Sequence, residues 1–283
     1  MPEYHGDPLL VEKCIMKFKE LKATGIKSMD GSFGTVHKME IDGTPYFVKE
    51  VYANELQYER MKTMMVNEYR VNKILTSRIP EYVSRFIAGK LDNTGTTMEM
   101  YLIFEAPNGY NLKEYLDLLT ANQLERIYNR LYCSIKAAQL EINSLNIVHR
   151  DIKPENIYVI VGPDGKEFKK CKLIDLGLAM KAGEKVNPAG TGRYMPPTMR
   201  LLNNYRRIHN FKAFKEHNEY SLEQIWKNDF QKDDEPVPNC EALNERAGPP
   251  LPPMNSNNNN NSKGGSRKTK RFKKPKRKTR RLE

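Results

Sequence analysis

Closely spaced cysteines are missing from this chain. Its four, Cys14, Cys133, Cys171 and Cys240, form no CxxC unit, so their spacing predicts neither a zinc site nor a disulfide framework and points to a reducing compartment. Long apolar runs are missing as well. Stretches such as Tyr101-Leu102-Ile103-Phe104 fall far short of the roughly 20 residues of a membrane span. The opening residues, MPEYHGDPLLVEKC, have no apolar signal core. The expectation is an intracellular protein, neither secreted nor inserted in a membrane. Excess charge, finally, is missing from most of the chain. The net charge is +12, but residues 263 to 283 hold 12 Lys/Arg and one acid, which leaves only +1 on the other 262 residues. Contact with nucleic acid or acidic proteins, or recognition as a nuclear-import signal, is therefore expected of the basic end alone.

What is present is enough for a folded body. Of 283 residues, 39% are hydrophobic, sufficient for a sizeable core. Composition changes near residue 230, where DDEPVPN, AGPPLPP and NSNNNNNSKGGS lead to the basic end. Before that point, Gly34-Thr35-Val36, Ile41 with the turn Asp42-Gly43, and Tyr46-Phe47-Val48 predict a β-hairpin. Met61, Met64, Met65, Val71, Ile74 and Leu75 predict a helix within 55 to 76, and residues 99 to 104 a strand. Leu124, Ile127, Leu131, Ile135, Ala138, Ile142 and Leu145 recur at intervals of three and four and predict one long amphipathic helix over 121 to 146. Two β-type runs, Ile157 to Val161 and Cys171 to Ile174, flank the turn-rich Gly162-Pro163-Asp164-Gly165. Strands first and helices later predict an α+β chain of two lobes with a cleft between them.

Directly after the long helix comes His149-Arg150-Asp151-Ile152-Lys153-Pro154-Glu155-Asn156. This octet resembles the catalytic loop of eukaryotic-type protein kinases, and its Lys-Pro-Glu portion resembles the serine/threonine branch. Phosphoryl transfer needs a carboxylate beside the attacking hydroxyl, a cation near the moving phosphoryl group and oxygen donors for a metal ion. The resemblance implies Asp151 as base, Lys153 as cation and Asn156 as a ligand of Mg²⁺. Asp175-Leu176-Gly177 resembles the family's Asp-Phe-Gly motif and implies Asp175 as the second metal ligand. Gly31-Ser32-Phe33-Gly34-Thr35-Val36 resembles the glycine-rich loop over the ATP phosphates. Lys49 then corresponds to the lysine that contacts the α- and β-phosphates, and Glu68 to its orienting partner. Glu105 to Pro107 would be the hinge whose backbone meets the adenine. By this resemblance the chain divides into an N-terminal extension (1–24), an N-lobe with hinge (25–110), an abbreviated C-lobe (111–230), a linker (231–262) and a basic tail (263–283).

Some positions depart from the family pattern. Met29 stands at the first glycine of the loop, which implies a looser phosphate cradle. Phe47 and Tyr158 stand where smaller residues usually form the ceiling and floor of the adenine pocket; they would either stack on the base or fill the pocket. Gly190 to Thr198 resembles the end of the activation segment, with Thr198 in place of the terminal glutamate. Only about thirty residues of globular character follow, so its arginine partner's helix is expected to be missing and an activating partner is possible. Asn218 aligns with an aspartate that braces the catalytic loop. The segment LAMKAGEKVNPAG has no Ser, Thr or Tyr, and Glu184 is expected to stand in for a phosphate opposite Arg150. The asparagine run and basic end resemble, in composition, chains of large DNA viruses. The resemblance implies a serine/threonine protein kinase that uses ATP and Mg²⁺ on protein substrates, with a kinase-like binding module as the alternative.

Overall fold

Residue alternation along one central strand explains how the first lobe is built. The computed structural model describes residues 2–25, 29–31, 34–186, 189–204, 211–232 and 235–241. In chain order the lobe comprises β1 (Glu3–His5), α1 (Pro8–Ala23), β2 (Met29–Gly31), β3 (Gly34–Ile41), β4 (Thr44–Ala53), α2 (Glu55–Arg78), β5 (Phe86–Asn93) and β6 (Met98–Glu105). The six strands form one antiparallel sheet in the order β1-β5-β6-β4-β3-β2. On β6, Tyr101 and Ile103 face one core with Val11, Cys14, Ile15 and Phe18 of α1. Met98, Met100 and Leu102 face the other core with Tyr58, Met65 and Tyr69 of α2. The period of two thus places one helix on each face of the sheet.

The first 24 residues are packed onto this lobe rather than trailing from it. β1 pairs with β5, and α1 buries its apolar stripe against β3, β4, β5 and β6. Asp7 caps α1 by accepting from the Leu9 N–H at 2.9 Å, and Pro8 occupies the first turn, where it loses no helical hydrogen bond. α2 begins with a capping box between Asn54 and Gln57.

The second lobe contains β7 (Gly109–Asn111), α3 (Leu112–Leu118), α4 (Ala121–Ser144), β8 (Ile147–Val148), β9 (Ile157–Val161), β10 (Phe168–Leu173), β11 (Met180–Lys181), β12 (Lys185–Val186), α5 (Pro197–Asn204), β13 (Phe211–Lys212) and α6 (Glu216–Asn228). Three small sheets, β10-β9-β7, β11-β8 and β12-β13, shape its upper surface. α4 is the central post. Its Leu131, Ile135, Ala138 and Ile142 are fully buried, and Tyr128 and Tyr132 hold the ring of Trp226 from α6. The lobes meet where Val83 bridges Leu173 and the Ser84 N–H donates to the Leu173 carbonyl at 3.1 Å.

The linker also begins later than composition implies. The Trp226 Nε1–H donates to the Glu235 carbonyl at 3.1 Å, and the Lys232 ammonium lies over the Tyr128 ring, 4.1 Å from its centre. This return brings Cys240 onto α4, where it forms a disulfide with Cys133, 107 residues earlier. The expectation that the cysteines form no disulfide framework is thereby corrected for this pair. Nothing in the spacing of the two could reveal a contact made by tertiary packing. Cys14 and Cys171 are free and buried. No described helix is long and apolar enough to cross a membrane. The rest of the linker and the basic tail, from residue 242 onward, lie outside the described residues.

Candidate active site

The cleft between the lobes holds a cavity of about 730 Å³, lined from above by Val36, Phe47, Lys49 and Glu68 and from below by Lys153, Asn156, Tyr158, Asp175 and Thr191. Lys49 points into it because β4 alternates and Lys49 faces the cleft. Its Nζ lies 2.7 Å from Glu68 Oε1 on α2 and 2.8 Å from Asp175 Oδ1. Burial opposes a charge on Lys49, but Glu68 and Asp175 overcome it and leave the ammonium's pKa above its ordinary value. Burial likewise favours the neutral form of Asp175, and Lys49 overcomes it, holding this carboxyl below the usual carboxylate range. Glu68 is shifted the other way: burial, with the nearby Asp175, raises its carboxyl above the usual carboxylate range against the pull of Lys49.

Asp175 adopts the left-handed backbone conformation, with φ 58°, which a non-glycine residue takes at some cost. The surrounding bonds explain why it persists. The neighbouring Ile174 N–H donates to the Asn156 carbonyl at 3.0 Å, and His149 Nε2 contacts the Ile174 carbonyl at 3.0 Å. Pairing of β8 with β11, and the Asn67 amide donating to the Ala179 carbonyl at 2.6 Å, fix the segment that follows. Any side chain on Gly177 would press on Glu68 Oε2 at 3.3 Å.

Below the cavity, Asp151 is almost fully buried at 4% exposure, yet both its oxygens are bonded. Oδ1 accepts from the Thr191 N–H and hydroxyl, each at 2.8 Å. Oδ2 accepts from the Asn156 amide at 2.9 Å and lies 3.0 Å from Lys153 Nζ. Lys153 also donates to Thr191 Oγ1 at 2.9 Å. A carboxylate, a cation and an amide thus meet across three residues of loop and one of the activation segment. Gly190, at φ 132°, permits this approach, since a Cβ there would meet the Arg150 carbonyl at 2.6 Å. Beneath the loop, Asn218 is buried, accepts from the Arg150 N–H at 3.2 Å and donates to Asn143 Oδ1 at 2.9 Å, so it braces the loop as its alignment predicts.

The structure gathers Lys49, Glu68, Lys153, Asn156 and Asp175 around one cavity, with Asp151 bonded directly behind Lys153, Asn156 and Thr191 of its lining, and places Val36, Glu105 and Pro107 on its wall. Gly31 ends β2 opposite Gly34; Ser32 and Phe33 lie outside the described residues. Gly34, at φ 148°, could carry no side chain, because a Cβ would meet the Glu50 carbonyl at 2.3 Å. Glu184 is a correction. Its side chain is exposed, while the Arg150 guanidinium is buried and its Nη1 donates to the Leu178 carbonyl at 3.1 Å. Thr191 is the site residue that sequence reasoning overlooked. It stands 40 positions from Asp151, so no local pattern could have tied the two together.

The Phe47 and Tyr158 rings touch edge to face with centres 5.6 Å apart. The Tyr158 phenol, pushed up to about 12 by burial, stays protonated and donates to the Pro107 carbonyl at 3.0 Å. Whether the residues fit a divalent cation can be read from their free oxygens. With Nδ2 of Asn156 committed to Asp151, its Oδ1 faces no competing donor from that bond, and Asp175 keeps a second carboxylate oxygen beside the one on Lys49. Two such hard oxygen ligands suit Mg²⁺, which takes most of its remaining shell from phosphate and water.

The protein kinase domain family matches residues 29–209, well over half of the chain. Serine/threonine-protein kinase DCLK2 of Rattus norvegicus is 37% identical over 105 residues, covering 36% of this chain and 13% of that protein. Probable serine/threonine-protein kinase nek2 of Dictyostelium discoideum is 30% identical over 179 residues, covering 59% of this chain and 40% of that protein. Rhodopsin kinase grk7a of Danio rerio is 27% identical over 210 residues, covering 72% of this chain and 34% of that protein. The chain thus spans well under half the length of each of these relatives. With its two-lobed α+β fold and the family match across both lobes, the chain belongs to the protein kinase domain family.

Proposed function

We propose that the chain is an active serine/threonine protein kinase that moves the γ-phosphoryl group of ATP to a protein hydroxyl. The observation that carries this reading is the joint closure of both halves of the site, Lys49 on Glu68 and Asp175 above, and Asp151 with Lys153, Asn156 and Thr191 below. Asp151 accepts the proton of the attacking hydroxyl as its oxygen bonds to the γ-phosphorus and the bond to the β-phosphate oxygen breaks. Lys153, within bonding reach of Asp151, neutralises charge on the moving group, and Lys49 takes the α- and β-phosphates. Thr191 holds Asp151 and Lys153 in register. Asn156 and Asp175 would hold Mg²⁺, which shields phosphate charge when bound.

The second reading is a binding module with little turnover, favoured by the contact of Phe47 with Tyr158 across the base end of the cleft. Incubation of the full chain with Mg²⁺, γ-labelled ATP, casein and myelin basic protein, followed by phosphoamino-acid analysis, separates the two. Label on serine or threonine supports the kinase. Saturable ATP binding with no label on any protein supports the module. On charge alone, residues 263 to 283 remain a candidate contact for nucleic acid or acidic proteins, testable as salt-sensitive binding that vanishes on their deletion.

A further inference from the structure

The backbone at the base end of the cleft offers hydrogen-bond acceptors and withholds donors. The Glu105 N–H is committed to the Arg85 carbonyl at 3.0 Å, and the Ala106 N–H to the Pro45 carbonyl at 3.4 Å. Pro107 has no N–H at all. What these three residues can still present to a base is carbonyl oxygen. The Pro107 carbonyl accepts from the Tyr158 hydroxyl but retains a second lone pair.

A donor-free edge does not favour adenine. Adenine brings one donor group, its 6-amino, next to an acceptor, N1, and that acceptor finds no backbone N–H on Glu105, Ala106 or Pro107. Guanine brings two adjacent donors, N1–H and the 2-amino group, and both match carbonyls. Its O6 needs a cation or donor, and the Arg85 side chain lines the same cavity as Glu105 and Pro107. An unmet acceptor costs affinity once water is excluded, so the usual penalty for the wrong purine is lost here.

We propose that this site is permissive for the purine base, that GTP binds and serves as phosphoryl donor alongside ATP, and that Pro107 is the residue that sets this. The inference rests on the kinase reading for its catalytic half and on Glu105, Ala106 and Pro107 for its binding half. The deciding experiment titrates the full chain with mant-ATP and displaces it with MgATP and with MgGTP, for the wild type and for Pro107→Ala and Pro107→Gly, both of which restore an N–H. The expected result is a pair of wild-type dissociation constants within about tenfold of each other, with ATP gaining about two- to tenfold over GTP in both variants, the worth of one hydrogen bond. A wild-type preference for ATP above tenfold, an unchanged ratio in the variants, or no saturable binding of mant-ATP overturns the proposal. γ-Phosphate transfer to casein, measured in parallel, keeps the two ideas apart. Comparable binding of both nucleotides without transfer sinks the kinase reading and leaves the permissive base site standing. Transfer from ATP with strong selectivity against GTP does the reverse.

Discussion

Two aromatic residues stand where, on the proposed kinase reading, a nucleotide base would enter this cleft. A base clasped between parallel rings would hold them about 7 Å apart, twice a carbon contact of about 3.5 Å. Phe47 and Tyr158 instead meet edge on at 5.6 Å, so they fill the space that the base must take. Opening them forfeits an aromatic contact worth about 0.5–1.5 kcal/mol. Phe47→Ala is therefore expected to bind ATP several-fold more tightly in a fluorescence titration, and weaker binding would mean that Phe47 stacks on the base. Histidines carry a second prediction. Burial lowers the pKa of both His149 and His217, His149 being fully buried under the Ile174 carbonyl. A depressed folded pKa means that the unfolded chain takes up protons first. Stability is then complete above the unfolded value of about 6.5 and is lost as pH falls below it. The urea midpoint should drop between pH 7.5 and pH 5.5, and a midpoint that is flat or rising over that interval would contradict the buried neutral imidazoles.

Elements were legible in the sequence to the degree that their periodicity was local. The long helix announces itself through Leu131, Ile135, Ala138 and Ile142, and α4 buries those same residues. The hairpin is written in Asp42-Gly43, and both residues take the positive φ that such a turn requires. Lys49, Glu68, Asp151, Asn156 and Asp175 were legible as motifs, since each lies in or at a fixed spacing from a recognisable string. Thr191 and the Phe47–Tyr158 contact depend on approaches between distant segments, which no string records. α1 was hidden differently. Val11, Cys14, Ile15 and Phe18 have helical spacing, but nothing in it says that a sheet waits to receive them. Phe18 is fully buried between His37 and Tyr101, with ring centres 4.9 and 5.9 Å away. Phe18→Ala should cost about 3–5 kcal/mol of unfolding free energy by urea titration. A loss below 1 kcal/mol would return the first 24 residues to the status of an extension.

At the scale of the whole molecule, the C-lobe is closed by a strap rather than by further described helices. Residues 235 to 241 fold back over α4 and α6, held by Trp226, Lys232 and the Cys133–Cys240 disulfide. The link encloses a segment of 107 residues, for which chain entropy alone gives about 4.8 kcal/mol. Cys133→Ser should lower the thermal midpoint under oxidising conditions and make no difference once reductant is present. Equal midpoints in both conditions would show that the strap holds without the link.

Phosphoryl transfer by the four-residue cluster around Asp151 is measured by single-turnover transfer from γ-labelled ATP to casein, with wild type and Asp151→Ala compared at equal nucleotide occupancy. The expected result is transfer to serine or threonine by the wild type and a loss of roughly 10²–10⁴-fold in the variant, the usual worth of a positioned base. Absence of transfer by nucleotide-saturated wild type, or equal rates in the two proteins, would contradict it.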